Sequence, residues 1–474
     1  MKTHCNQKTF YFQTENPRKI VAHFNGGNIT SDAGGLLLQQ AERITGIISQ
    51  FAECFTDHRD PDLSEFTVKD LIAQRIFALA LGYEDLNDHD ELRNDPLIAV
   101  MVGKKDPTGK DRIRKRDKGK PLAGKSTLNR LELTPVRANK HTRYKKITIN
   151  HHAVDVFFTD IFLQSYSKPP STIVLDLDAT DDPIHGHQLG RFFHGYYKRY
   201  CYLPLYIFSG EHLLCARLRP SDIDASAGSV KELGRIVWQI RRKWPNVRII
   251  IRGDSGFCRE PIMFWCEQNG VDYVLGLAKN ERLKKEIVKE MEQAKELYEQ
   301  SSQATRVYKD FEYQTLKSWS KSRRVVGKAE YLEKGENPRF VVTSLFTDEF
   351  DAKTLYEQQY CARGDMENRI KEQQLFLFAD RTSAATMRAN QLRLWSSSVA
   401  YTLLNTLRRL GLKGTKLARA RCDTIRLRLL KIGAQIKVTV RKVWVSLSES
   451  YPYRELFKQV YANLRELCPT PLRC

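Results

Sequence analysis

The chain has 474 residues, about three times the ~150 residues of an ordinary domain, which excludes a single small module. Hydrophobic residues make up 41% of the chain and aromatic residues 10%, which excludes a mostly disordered protein. The net charge of +21 favours a polyanionic partner, and nucleic acid is the first candidate.

The sequence also predicts a compartment. No stretch approaches the ~18 apolar residues of a membrane span, and residues 1–7 lack the apolar run of a signal peptide. We therefore expect a cytoplasmic protein that does not contact a membrane. The ten cysteines are scattered singly without a C-x-x-C pair, so we expect reduced thiols and no zinc site.

Residues 1–150 predict a helical N-terminal domain that binds DNA. Thr30–Asp32 can cap a helix that runs through Leu36–Leu38, and Thr67 precedes a second run with helical spacing of apolar residues. Residues 103–120 contain nine Lys or Arg, three Asp and no aromatic residue, so they predict an exposed loop. Such a loop is either merely solvated or in contact with phosphates.

From residue 171 onwards, short apolar runs alternate with helical patterns. Residues 171–278 predict the order βββαβαβ, followed by a charged helix at about 281–300. Three strand-like runs up to residue 345 and a helix from about 352 to 374 come next. The pattern predicts an α/β core over residues 171–400 that a strand-rich insertion interrupts at about 281–345.

The C-terminal region, residues 401–474, is basic. Between Arg408 and Lys442 there are twelve Lys or Arg and one Asp. Charge runs are often only solvated faces, but apolar residues such as Leu404 and Leu412 favour a packed element with one basic face. We expect this region to contact DNA.

Acidic residues end two of the predicted strands. Asp176 and Asp178 project from the same face of the first strand, because side chains alternate along a strand, so either can be a metal ligand. Asp254 follows the apolar run 247–251, with Gly253 and Gly256 beside it to let a ligand approach. If the two strands are neighbours, the aspartates can share a cation; the alternative is that each Asp caps a turn.

The predicted helix near residue 365 carries a polar stripe. Tyr360, Arg363, Glu367 and Lys371 are three, four and four residues apart, which places them within an arc of roughly 80°. Surface salt-bridge arrays have the same spacing. Together with the two strand-end aspartates, however, Glu367 completes a set of three carboxylates suited to hard divalent cations such as Mg²⁺ and to phosphodiester chemistry.

Residues 119–126 fit the P-loop pattern G-x-x-x-x-G-K-[ST]. A P-loop follows an apolar strand, whereas the preceding residues 112–118 are strongly basic. We therefore expect no nucleotide cofactor, and we expect Ser126 and Thr127 to cap a helix that begins at Leu128.

Three segments together resemble a known family. Asp178-Ala179-Thr180, Arg252–Phe257 and Tyr360-x-x-Arg363-x-x-x-Glu367 are similar to the D, D and Y-R-E segments of bacterial insertion-sequence DDE transposases with a ribonuclease H-like core. The similarity spans most of the chain and is greatest to the insertion-sequence family numbered thirteen-eighty, which also has stretches like 122–132 and 175–183.

The resemblance implies a function and a site. Asp178, Asp254 and Glu367 would bind two Mg²⁺ ions, with Mn²⁺ as a substitute, and catalyse strand cleavage and strand transfer at the terminal inverted repeats of the element. Tyr360, Arg363 and Lys371 would bind DNA. The partners would be double-stranded DNA of the element ends and the target, bound by a homodimer.

One position departs from the related Y-R-E-K pattern, in which a lysine follows the glutamate by seven residues. Gln374 occupies that position here, and Lys371 is the nearest lysine on the same helical face. Two other functions stay open: a ribonuclease H-like nuclease that hydrolyses without joining, and a catalytically silent DNA-binding derivative.

Overall fold

The computed structural model describes residues 9–12 and 18–468. The packing of the chain divides it into two compact units, Met1–Ile149 with Val399–Cys474 (unit 1) and Asn150–Ser398 (unit 2). The seven N-terminal residues considered for a signal peptide lie outside the described residues, as do Cys5 and Cys474. Within the described ranges, no helix is both long and apolar enough to cross a membrane.

The N-terminal part of unit 1 is built mainly from helices joined by short strands. Its helices are α1 (Gly35–Thr45), α2 (Ile47–Ala52), α3 (Val68–Leu81), α4 (His89–Leu92), α5 (Pro96–Val102) and α6 (Lys125–Glu132). Its strands are β1 (Thr9–Phe12), β2 (Ile20–His23), β3 (Asn28–Thr30), β4 (Phe55–Asp57) and β5 (Ile147–Ile149).

The two predicted helix starts in this part have different outcomes. Thr67 begins α3 with a reciprocal capping box, in which its hydroxyl accepts from Asp70 N at 3.1 Å, as predicted. The prediction that Thr30–Asp32 cap α1 is wrong, because Gly34 precedes that helix without a side-chain cap. A β-carbon at Gly34 would overlap the carbonyl oxygen of Leu429, so close packing, not capping, determines this end.

Unit 2 contains most of the strands. They are β6 (Thr172–Ala179), β7 (Asp182–Pro183), β8 (Phe192–His194), β9 (Arg199–Tyr202), β10 (Leu205–Ser209), β11 (His212–Arg217), β12 (Arg248–Gly253), β13 (Asp272–Leu277), β14 (Thr305–Tyr313), β15 (Arg323–Leu332), β16 (Gly335–Glu336) and β17 (Arg339–Thr343). The helices are α7 (His151–Gln164), α8 (Ser229–Lys243), α9 (Glu260–Gln268), α10 (Glu281–Glu286), α11 (Val288–Ser301), α12 (Ala352–Thr354), α13 (Gly364–Leu377) and α14 (Met387–Thr406), which extends into unit 1.

The C-terminal segment completes unit 1. It contains α15 (Cys422–Ile425), β18 (Ala434–Val438), β19 (Val443–Leu447) and α16 (Arg454–Glu466). Strand β18 pairs with both β19 and β3, and Lys431 Nζ lies 2.6 Å from Asp32 Oδ1. The N-terminal and C-terminal regions, which the sequence predicts as separate regions, therefore share a sheet and an ion pair.

A nine-stranded mixed sheet organises unit 2. Its order is β11-β10-β6-β12-β13-β17-β15-β14, with β16 beside β15. The three central strands β6, β12 and β13 are parallel, and the strands on both sides of them pair antiparallel. The α/β class agrees with the sequence prediction. Strands β6 and β12 are neighbours, which is the condition under which their aspartates can share a cation.

The two faces of the sheet are packed differently. Ile173, Leu175 and Leu177 of β6 belong to the larger core, together with apolar residues of α8 and α9. Val174 faces the other side, where Leu355 and Tyr356 pack. The alternation predicted for β6 is therefore confirmed, and it places Asp176 and Asp178 on the face covered by the helical segment 355–377.

The strand-rich segment and the last predicted helix differ from expectation in detail. Strands β14, β15 and β17, in the segment predicted to be a strand-rich insertion, extend the central sheet from β13. The charged helix predicted at 281–300 is divided into α10 and α11. The segment 352–377 is helical throughout, but Leu355–Tyr360 is a π-helical turn and Cys361–Arg363 a 3₁₀ turn before α13 begins.

Candidate active site

Two aspartates lie at the same edge of the central sheet. Asp178 is the second-last residue of β6, and Asp254 directly follows β12. The two strands are parallel with Leu177 opposite Gly253, so their carboxyl ends meet. Parallel pairing thus brings together residues that are 76 positions apart in the sequence.

Asp176, the alternative first ligand, has a different environment. It is 4% exposed and forms a two-point ion pair with Arg252, whose Nη2 lies 2.8 Å from Asp176 Oδ2. Asp178 is only partly buried, and its Oδ1 accepts from Ala179 N at 2.9 Å. Of the two, only Asp178 lines a cleft at this edge of the sheet.

The helical segment adds its polar stripe to this sheet edge. Arg363 lies between two of the acids, with Nη2 2.7 Å from Glu367 Oε1 and Nη1 3.8 Å from Asp178 Oδ2. A cleft of about 600 Å³ is lined by these residues together with Asp254 and Lys371. The rest of its lining comprises Ala179, Thr180, His194, Tyr196, Tyr197, Leu203, Ala225, Ser255, Gly256, Ile370 and Gln374.

The charges in the cleft influence one another. Burial raises the pKa of Asp178 to about 7; Arg363 opposes that rise, whereas the carboxylates of Asp254 and Glu367 add to it. Burial alone would lower the pKa of Arg363, but Asp178, Tyr360 and Glu367 raise it overall. The cleft therefore concentrates negative charge around a single arginine.

Tyr360 does not line the cleft itself; its hydroxyl lies behind the lining residue Ser255, next to Gly276 of β13. A β-carbon at Gly276 would lie 2.5 Å from the Tyr360 hydroxyl and 3.1 Å from Ser255 N, so only glycine leaves room for both. Burial raises the pKa of the Tyr360 hydroxyl, and the nearby Asp254 also raises it. The phenol therefore remains a hydrogen-bond donor at neutral pH.

The two glycines predicted to admit a ligand have other roles. A β-carbon at Gly253 would lie 3.0 Å from Phe257 Cβ, and one at Gly256 would lie 3.0 Å from Asp254 Oδ1. Gly256 N also donates to Asp254 Oδ1 at 2.8 Å. Both glycines thus fit the turn that holds Asp254, and of the two only Gly256 also lines the cleft.

Gln374, at the position of the expected lysine, forms hydrogen bonds within the protein. Its Nε2 donates to Asp181 O at 3.1 Å and to Asp182 Oδ1 at 3.0 Å. Asp182 is fully buried in β7, and burial raises its pKa. Gln374 therefore ties α13 to β7, while Lys371, one turn earlier, is exposed at the cleft.

The donor set of the cleft fits hard divalent cations, although its present geometry is not that of a closed metal site. Across the part of the chain that the structure describes, no group of three or more His, Cys, Asp or Glu side chains is arranged to hold a metal ion. Asp178, Asp254 and Glu367 supply carboxylate oxygens around one cleft, and Arg363 is the cation that now pairs with two of them.

Sequence reasoning missed the aromatic side of the cleft. His194 at the end of β8 lines it, as do Tyr196 and Tyr197 in the turn between β8 and β9, and Tyr197 Oη donates to Ala179 O at 3.3 Å. The run RFFHGYYKRY over residues 191–200 was the available signal, since it interleaves aromatic and basic residues.

The P-loop-like segment has a different structural context. No strand lies between Val102 and Lys125, a stretch that the structure describes in full, and α6 begins at Lys125 after Gly124. The expected start at Leu128 is wrong by one turn, because Asp90 Oδ1 accepts from Lys125 N at 3.1 Å and caps the helix there. Gly124, Ser126 and Thr127 line an arginine-rich cavity in unit 1.

Comparisons with known proteins give one family. No curated protein matches the sequence significantly. Residues 12–469 match the family described as transposase DDE domain, group 1. Because the match spans nearly the whole chain, the protein belongs to the group 1 family of DDE-domain transposases.

Proposed function

We propose that this protein cleaves DNA at the terminal inverted repeats of an insertion sequence and joins the 3′-hydroxyl ends to target DNA. The observation that carries the proposal is the convergence of Asp178, Asp254 and Glu367 on one cleft, in a chain of the DDE transposase family. The proposal includes a ribonuclease H-like core and membership of the insertion-sequence family numbered thirteen-eighty. The parallel β6, β12 and β13, with the acids at one edge, support that core.

The three acids would hold two Mg²⁺ ions, with Mn²⁺ as a substitute. When bound, such ions activate water or a 3′-hydroxyl for attack and neutralise the leaving oxygen. The charge distribution supports this assignment, because Asp178 faces the carboxylates of Asp254 and Glu367, and Arg363 is the cation that lowers its pKa. A cation in the cleft would offset that repulsion.

The cationic and phenolic groups would orient the reacting phosphate. Arg363 offers a planar fork of donors, whereas Tyr360 and Lys371 each add a single donor group. In the DNA-free protein the fork of Arg363 is paired with Glu367 and Asp178. We infer that a DNA phosphate takes over some of these donors, which leaves the carboxylates to the cations.

Unit 1 would hold the DNA through its basic residues. It has a cavity of about 390 Å³ lined by six arginines (Arg59, Arg93, Arg112, Arg114, Arg116 and Arg130) and three acids (Glu65, Asp90 and Asp117). Arg112 is paired with Glu65 and Arg93 with Asp117, whereas Arg114 is exposed. In the C-terminal region, Arg408 is buried, while Lys413, Lys437 and Lys442 are exposed. Exposed cations of both regions are available to phosphates.

The test uses the purified full-length chain with Mg²⁺ and a labelled duplex that carries an inverted repeat from the DNA flanking the gene. We expect cleavage at the repeat end and transfer of the 3′-hydroxyl strand to a second duplex. Asp178→Asn, Asp254→Asn and Glu367→Gln should each abolish both steps. Glu349→Gln is the matched control, because Glu349 pairs with Arg248 at the opposite end of β12.

The products also separate the alternative functions. Hydrolysis without joining would favour a ribonuclease H-like nuclease, and binding without cleavage would favour a silent DNA-binding derivative. The mass of the protein–DNA complex tests the proposed homodimer.

The salt dependence of binding tests the basic surfaces. Each phosphate neutralised should reduce the affinity by ~0.9 log unit per log unit of salt. Arg114→Ala with Lys437→Ala should reduce that slope. A salt-independent affinity would contradict the proposal that unit 1 holds DNA through phosphates.

A further inference from the structure

Residues 191–200, here called the aromatic ribbon, form the β8–β9 hairpin of a three-stranded sheet (β7-β9-β8) and carry several exposed rings. Strands β8 and β9 pair antiparallel, with Phe192 opposite Cys201 and His194 opposite Arg199. Tyr196 is 84% exposed and Phe193 58% exposed. Aromatic rings contribute large apolar areas when they are covered, so exposure of several in one short segment needs an explanation.

The ribbon lies at the candidate active site. His194, Tyr196 and Tyr197 line the same cleft as Asp178, Asp254 and Glu367. The Tyr197 hydroxyl bonds to the carbonyl oxygen of Ala179, the residue after Asp178. A ligand that contacts Tyr196 is therefore also beside the acids.

Cationic residues are interspersed with the rings along the ribbon. The Arg191 guanidinium lies 4.7 Å from the ring centroid of Tyr200, and Arg199 Nε lies 3.6 Å from Asp181 Oδ2. Lys198 adds a third cation in the turn, where its backbone has φ of 53°. Rings and cations in one segment suit a ligand that has both flat apolar faces and phosphates, and a nucleic acid strand has both.

The rings are held in place before any ligand arrives. Tyr196 and Tyr197 form an edge-to-face pair with centroids 5.0 Å apart, as do Phe193 and Tyr200 at 5.6 Å. The Ser221 hydroxyl donates to Phe192 O at 2.9 Å and anchors the first strand of the ribbon. Such pre-organisation reduces the entropy lost on binding.

We propose that the aromatic ribbon is a stacking site for unpaired bases of the DNA strand that occupies the cleft. The inference rests on the proposed function. Bases inside a duplex have both faces covered by their neighbours, so an exposed ring can stack only on a base at an end or one that has left the duplex. The substrate form recognised at the site is thus a DNA end with locally opened base pairs, and Tyr196 is its most accessible ring.

The test compares two duplexes of the same sequence, one fully paired and one with two mismatched pairs at the element end. Affinities are measured without divalent metal, so that binding is read independently of cleavage. Wild type should bind the opened duplex about tenfold more tightly, on the scale of one base–aromatic stack. Tyr196→Ala should bind both duplexes equally, and its folding is checked by circular dichroism.

Two control variants make the comparison specific. Tyr196→Phe keeps the ring and should keep the preference. Trp238→Ala removes an aromatic residue of α8 that is 61% exposed but does not line the cleft. This variant should also keep the preference for the opened duplex.

The outcomes distinguish this inference from the proposed function. If wild type cleaves and joins DNA but Tyr196→Ala retains the full preference for the opened duplex, only the ribbon inference is overturned. The ribbon inference alone is also overturned if wild type cleaves and joins DNA but binds the two duplexes equally. If wild type binds neither duplex, both proposals are overturned.

Discussion

Arg252 and Asp176 form a buried two-point ion pair between the neighbouring parallel strands β12 and β6. Arg252 also donates to the carbonyl oxygen of Gln359, at the end of the π-helical turn 355–360. The pair therefore connects two strands and the helical segment that carries Arg363 and Glu367. It also assigns the two aspartates of β6 to different tasks, because Asp178 lies two residues further on, in the cleft.

Substitutions of these two aspartates should have opposite effects. Asp176→Ala leaves Arg252 buried without its carboxylate, which costs about 3–5 kcal/mol of unfolding free energy. Asp178→Asn removes a carboxylate whose pKa burial raises, so the variant should be at least as stable as wild type at pH 7.5 but unable to cleave DNA. Urea denaturation and cleavage assays measure the two effects. A stable, inactive Asp176→Ala would reverse the assignment.

Removal of Arg363 should separate phosphate positioning from metal binding. We expect Arg363→Ala to lose cleavage by ~10²-fold or more, the scale of one transition-state donor. Its Mg²⁺ affinity should be retained or increased, because the variant lacks the guanidinium that pairs with Asp178 and Glu367. The Mg²⁺-dependent rise in Tm measures this affinity. Glu367→Ala should lose both cleavage and the Mg²⁺ response.

Two further variants complete that comparison. Arg241→Ala is the control, since Arg241 lies on α8 and does not line the cleft. Lys371→Ala tests the displaced lysine: full cleavage and joining would remove Lys371 from the DNA-binding group and leave the three acids unaffected. Loss of the Mg²⁺ response in Arg363→Ala would contradict a purely phosphate-positioning role.

Gly276→Ala should disturb the site from the far side of β13. Its β-carbon would lie 2.5 Å from the Tyr360 hydroxyl and 3.1 Å from Ser255 N. We expect a loss of about 1–3 kcal/mol of unfolding free energy, typical of overpacking, together with reduced cleavage. Adding Tyr360→Phe removes the closest atom and should recover part of the stability. No recovery in the double variant would show that the Ser255 backbone, not Tyr360, determines the cost.

Local sequence patterns were sufficient to predict some parts of this site. The alternation in β6 separates Leu175 and Leu177 from Asp176 and Asp178, and helical spacing puts Arg363 and Glu367 on one stripe. Both are properties of neighbouring residues. To predict that Asp178 and Asp254 meet, only one further assumption was needed, namely that β6 and β12 are adjacent.

Features that depend on distant pairing could not be predicted in this way. That Asp176 meets Arg252 follows from the register of β6 against β12, which no local pattern encodes. The extension of the sheet by β14, β15 and β17 likewise depends on β17 pairing with β13. The aromatic and basic residues of the aromatic ribbon could be recognised in the sequence. Their location beside Asp178, however, could be established only from the fold.

Lys125→Ala should have almost no effect on stability or on DNA cleavage. Lys125 Nζ lies 3.2 Å from Asp90 Oδ2 and is half exposed, and exposed ion pairs contribute about 0–1 kcal/mol. We expect cleavage within about twofold of wild type and no effect of added ATP, because the segment lacks the strand that precedes a P-loop. Cleavage that requires ATP would show that the motif is functional.

His89 should make unit 1 sensitive to acid. The ring is fully buried in α4, and its Nδ1 lies 2.9 Å from Gln74 Nε2. Gln74 in turn bonds to both backbone groups of Ala123, just before α6. Burial lowers the pKa of His89 to about 3, and the charge of Arg75 lowers it as well. A proton on Nδ1 would face the Gln74 amide, so protonation would break this network.

The sign of the pH dependence follows from that lowered pKa. Between its ordinary value of 6.5 and about 3, His89 is protonated in the unfolded chain but neutral in the folded one. Stability is therefore complete above pH 6.5 and falls by up to about 1.4 kcal/mol for each pH unit below it. From pH 7.5 to pH 5 this contribution amounts to about 2 kcal/mol.

The measurement is urea denaturation of wild type and His89→Asn at these two pH values. Asn keeps an acceptor near the position of Nδ1 but cannot be protonated, so its stability should fall by about 2 kcal/mol less than that of wild type. The smaller side chain lowers stability at both pH values, and this cost cancels in the difference. Equal pH dependence in the two proteins would show that His89 is accommodated in its charged form, and that other groups cause the acid sensitivity.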